Sequence, residues 1–308
     1  MGKTSTGKVR IGISGWTYPP WRKKFYPDKL AQHKELAYAS GIFRSIEING
    51  TFYSLQKPES FAKWASETPA EFVFSVKAPR YITHIQRLKD VATPVANFLA
   101  SGILKLGPKL GPILWQLPPN FKFDAARIEA FLKLLPHDTG AAVRTAKEHD
   151  EWMEKRAWTK TDEQRPLRHS LEIRHESFRV PEFVELLREY DVAMVCADTP
   201  EWPRMMDLTS DFMYCRLHGS EALYENGYDA KSLDQWSERV AAWARGKEPE
   251  DAERVIDKAG PKRKARDVFV YFDNDKKVLA PVDAQSLAKR VDKLLGSARA
   301  SSGSTGTD

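Results

Sequence analysis

Eight short runs rich in β-branched and aromatic residues recur along the chain, separated by stretches of helical period. The runs are VRIGIS, FRSIEI, FVFSVK, PILWQL, HSLEIR, VAMVCA, FMYCRL and VFVYFD. Helical period covers 33–40, 58–67, 93–106, 124–135, 181–190, 231–245 and 283–295, with Pro58, Asp124 and Pro181 as start signals. Only the stretch after the sixth run, ADTPEWPRMMD, carries no helical pattern. Strands that alternate with helices pair in parallel, because each crossover returns the chain to the same end of the sheet. Eight such units predict an α/β fold, a TIM-type (β/α)8 barrel in a single domain over residues 8–295. A doubly wound open sheet competes with it. Its first turn would carry G-x-G-x-x-G, and GISGWTYPP does not.

Residues 1–7 stand as an N-terminal extension, and the Gly/Ser/Thr-rich residues 296–308 read as a disordered tail. Two segments break the β/α rhythm: a charged insertion at 137–167 before strand five, and a second at 247–266 before strand eight. Each leads from a helix into a strand, which predicts both at the bottom face, away from the end where barrel enzymes work.

With 308 residues, 42% of them hydrophobic, there is ample material for one core. No apolar run approaches the ~18–20 residues of a membrane span, so no membrane partner is expected. The first residues also lack an apolar signal segment. Cys196 and Cys215 fall inside predicted strands and read as small buried hydrophobes, so a reducing, cytoplasmic location is expected. The net charge of +6 is partly concentrated in Arg22, Lys23 and Lys24 and in the run PKRKAR at 261–266. Such runs can meet phosphate backbones, but more commonly they face water.

The strand ends carry the chemistry. In order they offer Ser14; Glu47 and Asn49; Lys77 and Arg80; Gln116; Glu172 and Arg174; Asp198; Arg216 and His218; and Asp273, Asn274 and Asp275. Residues two apart share a strand face, so Glu47 with Asn49, Ser75 with Lys77, Glu172 with Arg174, and Arg216 with His218 can all point to the barrel axis. Glu47, Glu172, His218 and Asp273 are the candidates for proton transfer, with His218 the residue whose ordinary titration lies near neutrality. Lys77, Arg174 and Arg216 are candidates to hold an anion. Asn49, Tyr53, Arg80, Gln116, Asp198, Asn274 and Trp16 complete the candidate binding set. Glu47, Asp198, His218 and Asp273 could also supply a divalent metal, whereas His169, Glu172 and His175 cannot converge from one strand because Glu172 faces the other way. Trp16, Tyr18, Trp21, Phe52, Tyr53, Tyr81, Trp202, Tyr224 and Tyr228 are positioned to form an aromatic lip that favours a flat organic ligand.

The segments IGISGWTYPPWRKKFYP, IEINGTFYSLQKPESFAKWASETP, FVFSVKAPRYITHI, LGPILWQLPPNFKFD, LEIRHESF, ADTPEWP, YCRLHG and VYFDND make the chain resemble the DUF72 family of YecE-like proteins. The resemblance runs along residues 11–283. It implies a TIM barrel with a polar pocket built from those segments, and no established reaction. The 137–167 insertion departs from the short link that the family usually has there. The expected function is an enzyme of the hydrolase or isomerase class acting on a small anionic, sugar-like molecule, with no redox cofactor and a divalent metal left open. A Schiff-base lyase using Lys77 is a variant of that expectation. The alternative is a metal-dependent nucleic-acid-processing or nucleic-acid-binding protein, supported by the basic runs and opposed by the acids at the mouth. The oligomeric state is not legible.

Overall fold

In the computed structural model, which describes residues 6–219, 227–274 and 278–301 with side chains through Gly296, each of the eight runs is a strand. They are β1 (Val9–Ser14), β2 (Ser45–Ile48), β3 (Val73–Lys77), β4 (Leu110–Gln116), β5 (His169–Glu172), β6 (Ala193–Asp198), β7 (Phe212–Leu217) and β8 (Asp267–Phe272). Every neighbouring pair is parallel, and β8 closes onto β1. The fold is the expected TIM-type barrel. Around it lie α1 (Glu35–Ile42), the single turn α2 (Gly50–Tyr53), α3 (Pro58–Ser66), α4 (Ala92–Ala100), α5 (Ala125–Leu132), α6 (Thr139–Ala146), α7 (Pro181–Glu189), α8 (Ala230–Ala244) and α9 (Ala280–Ser301). As expected, β6 and β7 are joined without a helix. α9 runs through Ser301, into the stretch expected as tail, and 302–308 lie outside the described residues. No helix among the described residues is long and apolar enough to cross a membrane.

Strand alternation divides the apolar residues into two cores. Outward-facing Ile13, Ile46, Phe74, Trp115, Leu171, Cys215 and Val270 pack beneath the helices. Inward-facing Val73, Leu114, Ala193, Val195, Phe212, Tyr214, Phe269 and Tyr271 fill the barrel. Burial of this kind contributes roughly 1.5–3 kcal/mol per large side chain. Above the inner core the barrel turns polar: the Tyr271 and Tyr214 hydroxyls meet Ser45 Oγ at 2.6 Å and Ser75 Oγ at 2.7 Å. Ser45 in turn donates to the Val73 carbonyl, and Ser75 shares its one proton between the Pro112 carbonyl and the Tyr214 oxygen, whose own proton goes to Glu47. These bonds satisfy hydroxyls that would otherwise be costly to bury.

The insertions do not stay at the bottom face. Asp138 caps α6 by accepting from the Ala141 amide, and α6 packs along α4. Beyond it, Asp150 and Asn97 of α4 bond reciprocally, amide to Oδ1 and Nδ2 to Oδ2. This brings Trp152 to a cavity shared with Tyr53, Arg80 and Tyr81 at the C-terminal end. The second insertion also reaches upward, where Glu253 pairs with Arg204 beside Asp198. The rule for helix-to-strand connections fixes where a segment starts and ends, and side-chain anchors decide how far it climbs between those points.

Candidate functional site

Arg216 projects inward from β7 and has no exposed surface. Its Nε and Nη2 grip the two oxygens of Glu47 at 3.1 and 3.0 Å. Nη1 reaches Glu172 at 2.8 Å, and Nη2 reaches Asp273 at 2.9 Å. Ser14 and Tyr214 donate to the remaining lone pairs of Glu47 at 2.7 and 2.6 Å. Glu172 accepts further from Arg174 Nε at 2.7 Å and Gln116 Nε2 at 2.9 Å. The side chains therefore converge from β1, β2, β4, β5, β7 and the end of β8, as strand parity requires. His218 Nδ1 lies 3.4 Å from Asp273.

The network fixes protonation states. Burial pushes Glu172 upward, but Arg174 and Arg216 outweigh it and hold the carboxyl well below its usual range. Asp273 likewise resists burial through Arg216 and His218 and falls to about 2. His218 is lowered by burial and by Arg216, against the pull of Asp273, so neutral imidazole is favoured. Glu172 and Asp273 are thus held as anions beside a neutral His218.

Lys77 differs from its neighbours. It is 8% exposed, and while its carbonyl accepts from Thr51 Oγ1 at 2.6 Å, its Nζ makes neither a hydrogen bond nor an ion pair among the described residues. Its Nζ sits 4.3 Å from the centroid of the Phe52 ring. Burial, then Arg216, lowers it to about 8 against the pull of Glu47, Glu172 and Asp273. Beside it His84 is lowered to about 4 by burial and by Arg174, Lys77 and Arg80 in that order. One sector of the mouth thus gathers three cations. The carboxylates of Glu47, Glu172 and Asp273 are balanced by Arg216, Arg174 and Lys77, and Arg80 adds a further positive charge at the rim.

Other candidates lie elsewhere or do other work. Asp198 faces outward from β6, accepting from Trp236 Nε1 of α8 at 3.0 Å and from Arg204 at 2.8 Å. It does not join the Arg216 network, because Ala193, Val195 and Ala197 hold the inward positions of that strand. Trp16 packs edge-on against Trp64 of α3, at 5.3 Å between centroids. Asn49 begins α2, and its Oδ1 is buried without a partner among the described residues, as are Asn274 Oδ1 and Trp202 Nε1. Asn274 donates to Asp283 of α9, and Trp202 lies under the Arg174 guanidinium at 4.2 Å. Trp21 and Tyr228 of the expected lip are buried in the core, whereas Tyr53 and Tyr81 are exposed. Tyr224 and Asp275 lie outside the described residues. His169 is buried outside the barrel, accepting from Trp115 Nε1 and set against the Pro136 carbonyl. Among the described residues no three His, Cys, Asp or Glu side chains converge as metal ligands. Cys196 and Cys215 are buried free thiols. Tyr214, His84 and Trp152 were not among the sequence candidates. Tyr214 was detectable, since it shares the inward face of Arg216.

A larger cavity of about 680 Å3 lies at the opposite end, among Lys8, Arg10, Phe43, Arg44 and Asp292. That end closes with ion pairs such as Arg44–Asp292 at 2.8 Å, and barrels of this type place stability rather than chemistry there.

The profile of the family described as "Protein of unknown function DUF72" matches residues 10–303. The chain belongs to the DUF72 family. It is similar to the UPF0759 protein YunF of Bacillus subtilis, 31% identical over 137 residues, which are 43% of this chain and 47% of that protein. The match thus spans about half the length of that relative. The UPF0759 protein YecE of Escherichia coli K12 is 25% identical over 242 residues, covering 76% of this chain and 82% of that one. Among solved structures, a DUF72 family protein of Thermotoga maritima matches with a TM-score of 0.71 at 24% identity, covering 92% of this chain and 99% of that one. One of Enterococcus faecalis matches with a TM-score of 0.64 at 16% identity, covering 95% and 99%. At these identities the structural likeness supports a shared DUF72 barrel fold.

Proposed function

We propose that the protein is an enzyme acting on a small anionic, sugar-like molecule at the C-terminal mouth of the barrel. The observation that carries this reading is the placement of Lys77, buried at the mouth with its Nζ over the Phe52 ring and no ion pair among the described residues, in the same sector as Arg174 and Arg80. Burial of the Lys77 ammonium outweighs the pull of the carboxylates around it, and a phosphate or carboxylate in direct contact offsets that cost. Arg174 uses only Nε on Glu172, which leaves its other guanidinium nitrogens for a ligand. His218, oriented by Asp273, is the proton carrier for hydrolysis or isomerisation. Glu47 and Glu172 are spent on positioning Arg216.

The nucleic-acid reading has less behind it. Arg266 of the basic run is buried and donates to the carbonyls of Gly246 and Pro261, and the run enters β8 at its N-terminal end, away from the mouth. The test is a thermal-shift and metabolite screen on the full chain, with and without added magnesium or manganese. The expected result is stabilisation by one or more phosphorylated or carboxylated compounds that is lost in Lys77→Met. Stabilisation by duplex or single-stranded DNA alone, undiminished in Lys77→Met, would overturn the proposal.

A further inference from the structure

Beside the cation sector opens a cleft of about 530 Å3, lined by Phe52, Tyr53, Arg80, Tyr81, Asp150 and Trp152 among others. Its volume is that of a small-molecule site. Three large rings remain open to solvent here: Tyr53 is 72% exposed, Tyr81 50% and Trp152 61%. Exposed aromatic surface of this kind, gathered from three separate segments, marks a place where something flat is held. Two residues join the cleft to the mouth. Phe52 carries the Lys77 ammonium over its ring, and Arg80 is one of the three cations acting on His84.

The frame of the cleft is held in uncommon backbone. After β3 the chain makes a π-helical turn, Tyr81–Ile85, and then places Arg87, Leu88 and Asp90 at φ of 51°, 63° and 50°. Side chains other than glycine adopt that region at a cost, and such strain gathers at binding loops. The far wall belongs to the 137–167 insertion. Asp150 accepts from Asn97 and from the Trp152 amide, which fixes the tryptophan at the rim.

We propose that this cleft is the ring subsite of the mouth. It stacks the ring of a ligand whose phosphate lies among Lys77, Arg80 and Arg174, so the substrate class is a phosphate ester carrying a flat-faced ring, and the insertion exists to supply one wall. The inference rests on the anion reading above and adds the ring. A purine base and a pyranose both present such a face, and the test separates them.

Inorganic phosphate, glucose 6-phosphate and adenosine monophosphate are titrated into the full chain by calorimetry, with tryptophan emission recorded in parallel. At least one ring phosphate binds about tenfold or more tighter than inorganic phosphate, the gain expected of one aromatic stack. Trp152→Ala and Tyr53→Ala, both at exposed positions, reduce that ligand to the affinity of inorganic phosphate, and Trp152→Phe removes the emission change. Equal affinity for all three probes would overturn the ring subsite while leaving the anion site standing. A ring preference that survives both alanine variants would overturn the assignment to this cleft. Failure of every phosphate to bind would overturn the phosphate-ester class, and with it the ring subsite as stated.

Discussion

A guanidinium with no exposed surface is tolerable only because its N–H groups have acceptors, and Arg216 finds them on Glu47, Glu172 and Asp273. Removing it leaves three carboxylates facing one another in a closed barrel. Arg216→Met should therefore lose about 3–5 kcal/mol or more, read as a fall in urea midpoint. Arg216→Lys should recover little, because one ammonium cannot span three acids. Adding Glu47→Gln to Arg216→Met should cost less than the sum of the single changes, since it removes one orphaned charge. Additive losses would show that the acids do not act through Arg216. Most of this network was legible from spacing alone, because inward positions repeat every second residue. The same rule, followed one residue further, turns Asp198 outward, so its place at a strand end does not bring it to the barrel axis. Trp16 shows a different limit of spacing: a ring after a strand packs on whatever helix passes near, here α3, and spacing does not record that neighbour.

At the scale of elements, strand and helix positions follow the apolar period closely, and the departures occur where tertiary anchors replace period. The β3–α4 connection gives no period at all, yet its π-turn and left-handed residues build the cleft. The 137–167 insertion reads as charged and solvated, yet one reciprocal Asn97–Asp150 pair holds it against α4. Asp150→Ala removes the carboxylate half of that pair and the cap on Trp152. The expected outcome is faster amide exchange across 147–157, with a global loss of only about 1 kcal/mol, the worth of a capping or side-chain bond. Unchanged exchange in that stretch would mean that the rest of the insertion, through contacts such as the Trp158 amide on the Ala100 carbonyl, holds the tip unaided.

For the whole molecule, the mouth should leave its mark on stability as a function of pH. Asp273 titrates at about 2 when folded against 3.8 when unfolded, so its contribution is full above 3.8 and is lost as pH falls toward 2. Glu172 acts in the same direction. Lys77 acts at the other end. Its folded value of about 8 lies below the unfolded 10.5, so between those values the unfolded chain holds a proton that the folded chain has released. Stability therefore rises with pH through that window, by about 3 kcal/mol in all, at 1.36 kcal/mol per unit. At neutral pH the folded protein carries the whole cost of the buried ammonium. Lys77→Met, which keeps the bulk and removes the charge, should then be more stable than the parent near pH 7, by up to that margin. The two stability curves, from urea midpoints between about pH 6 and pH 10.5, should converge at the alkaline end as the parent's lysine gives up its proton. Other lysines and tyrosines titrate in both proteins and cancel in the difference. Parallel curves would mean that Lys77 is neutralised by a partner inside the fold, and the anion reading would lose its main support. A saturating anionic ligand should narrow the gap at pH 7 by stabilising the parent alone, since the variant has lost the charge that the ligand meets.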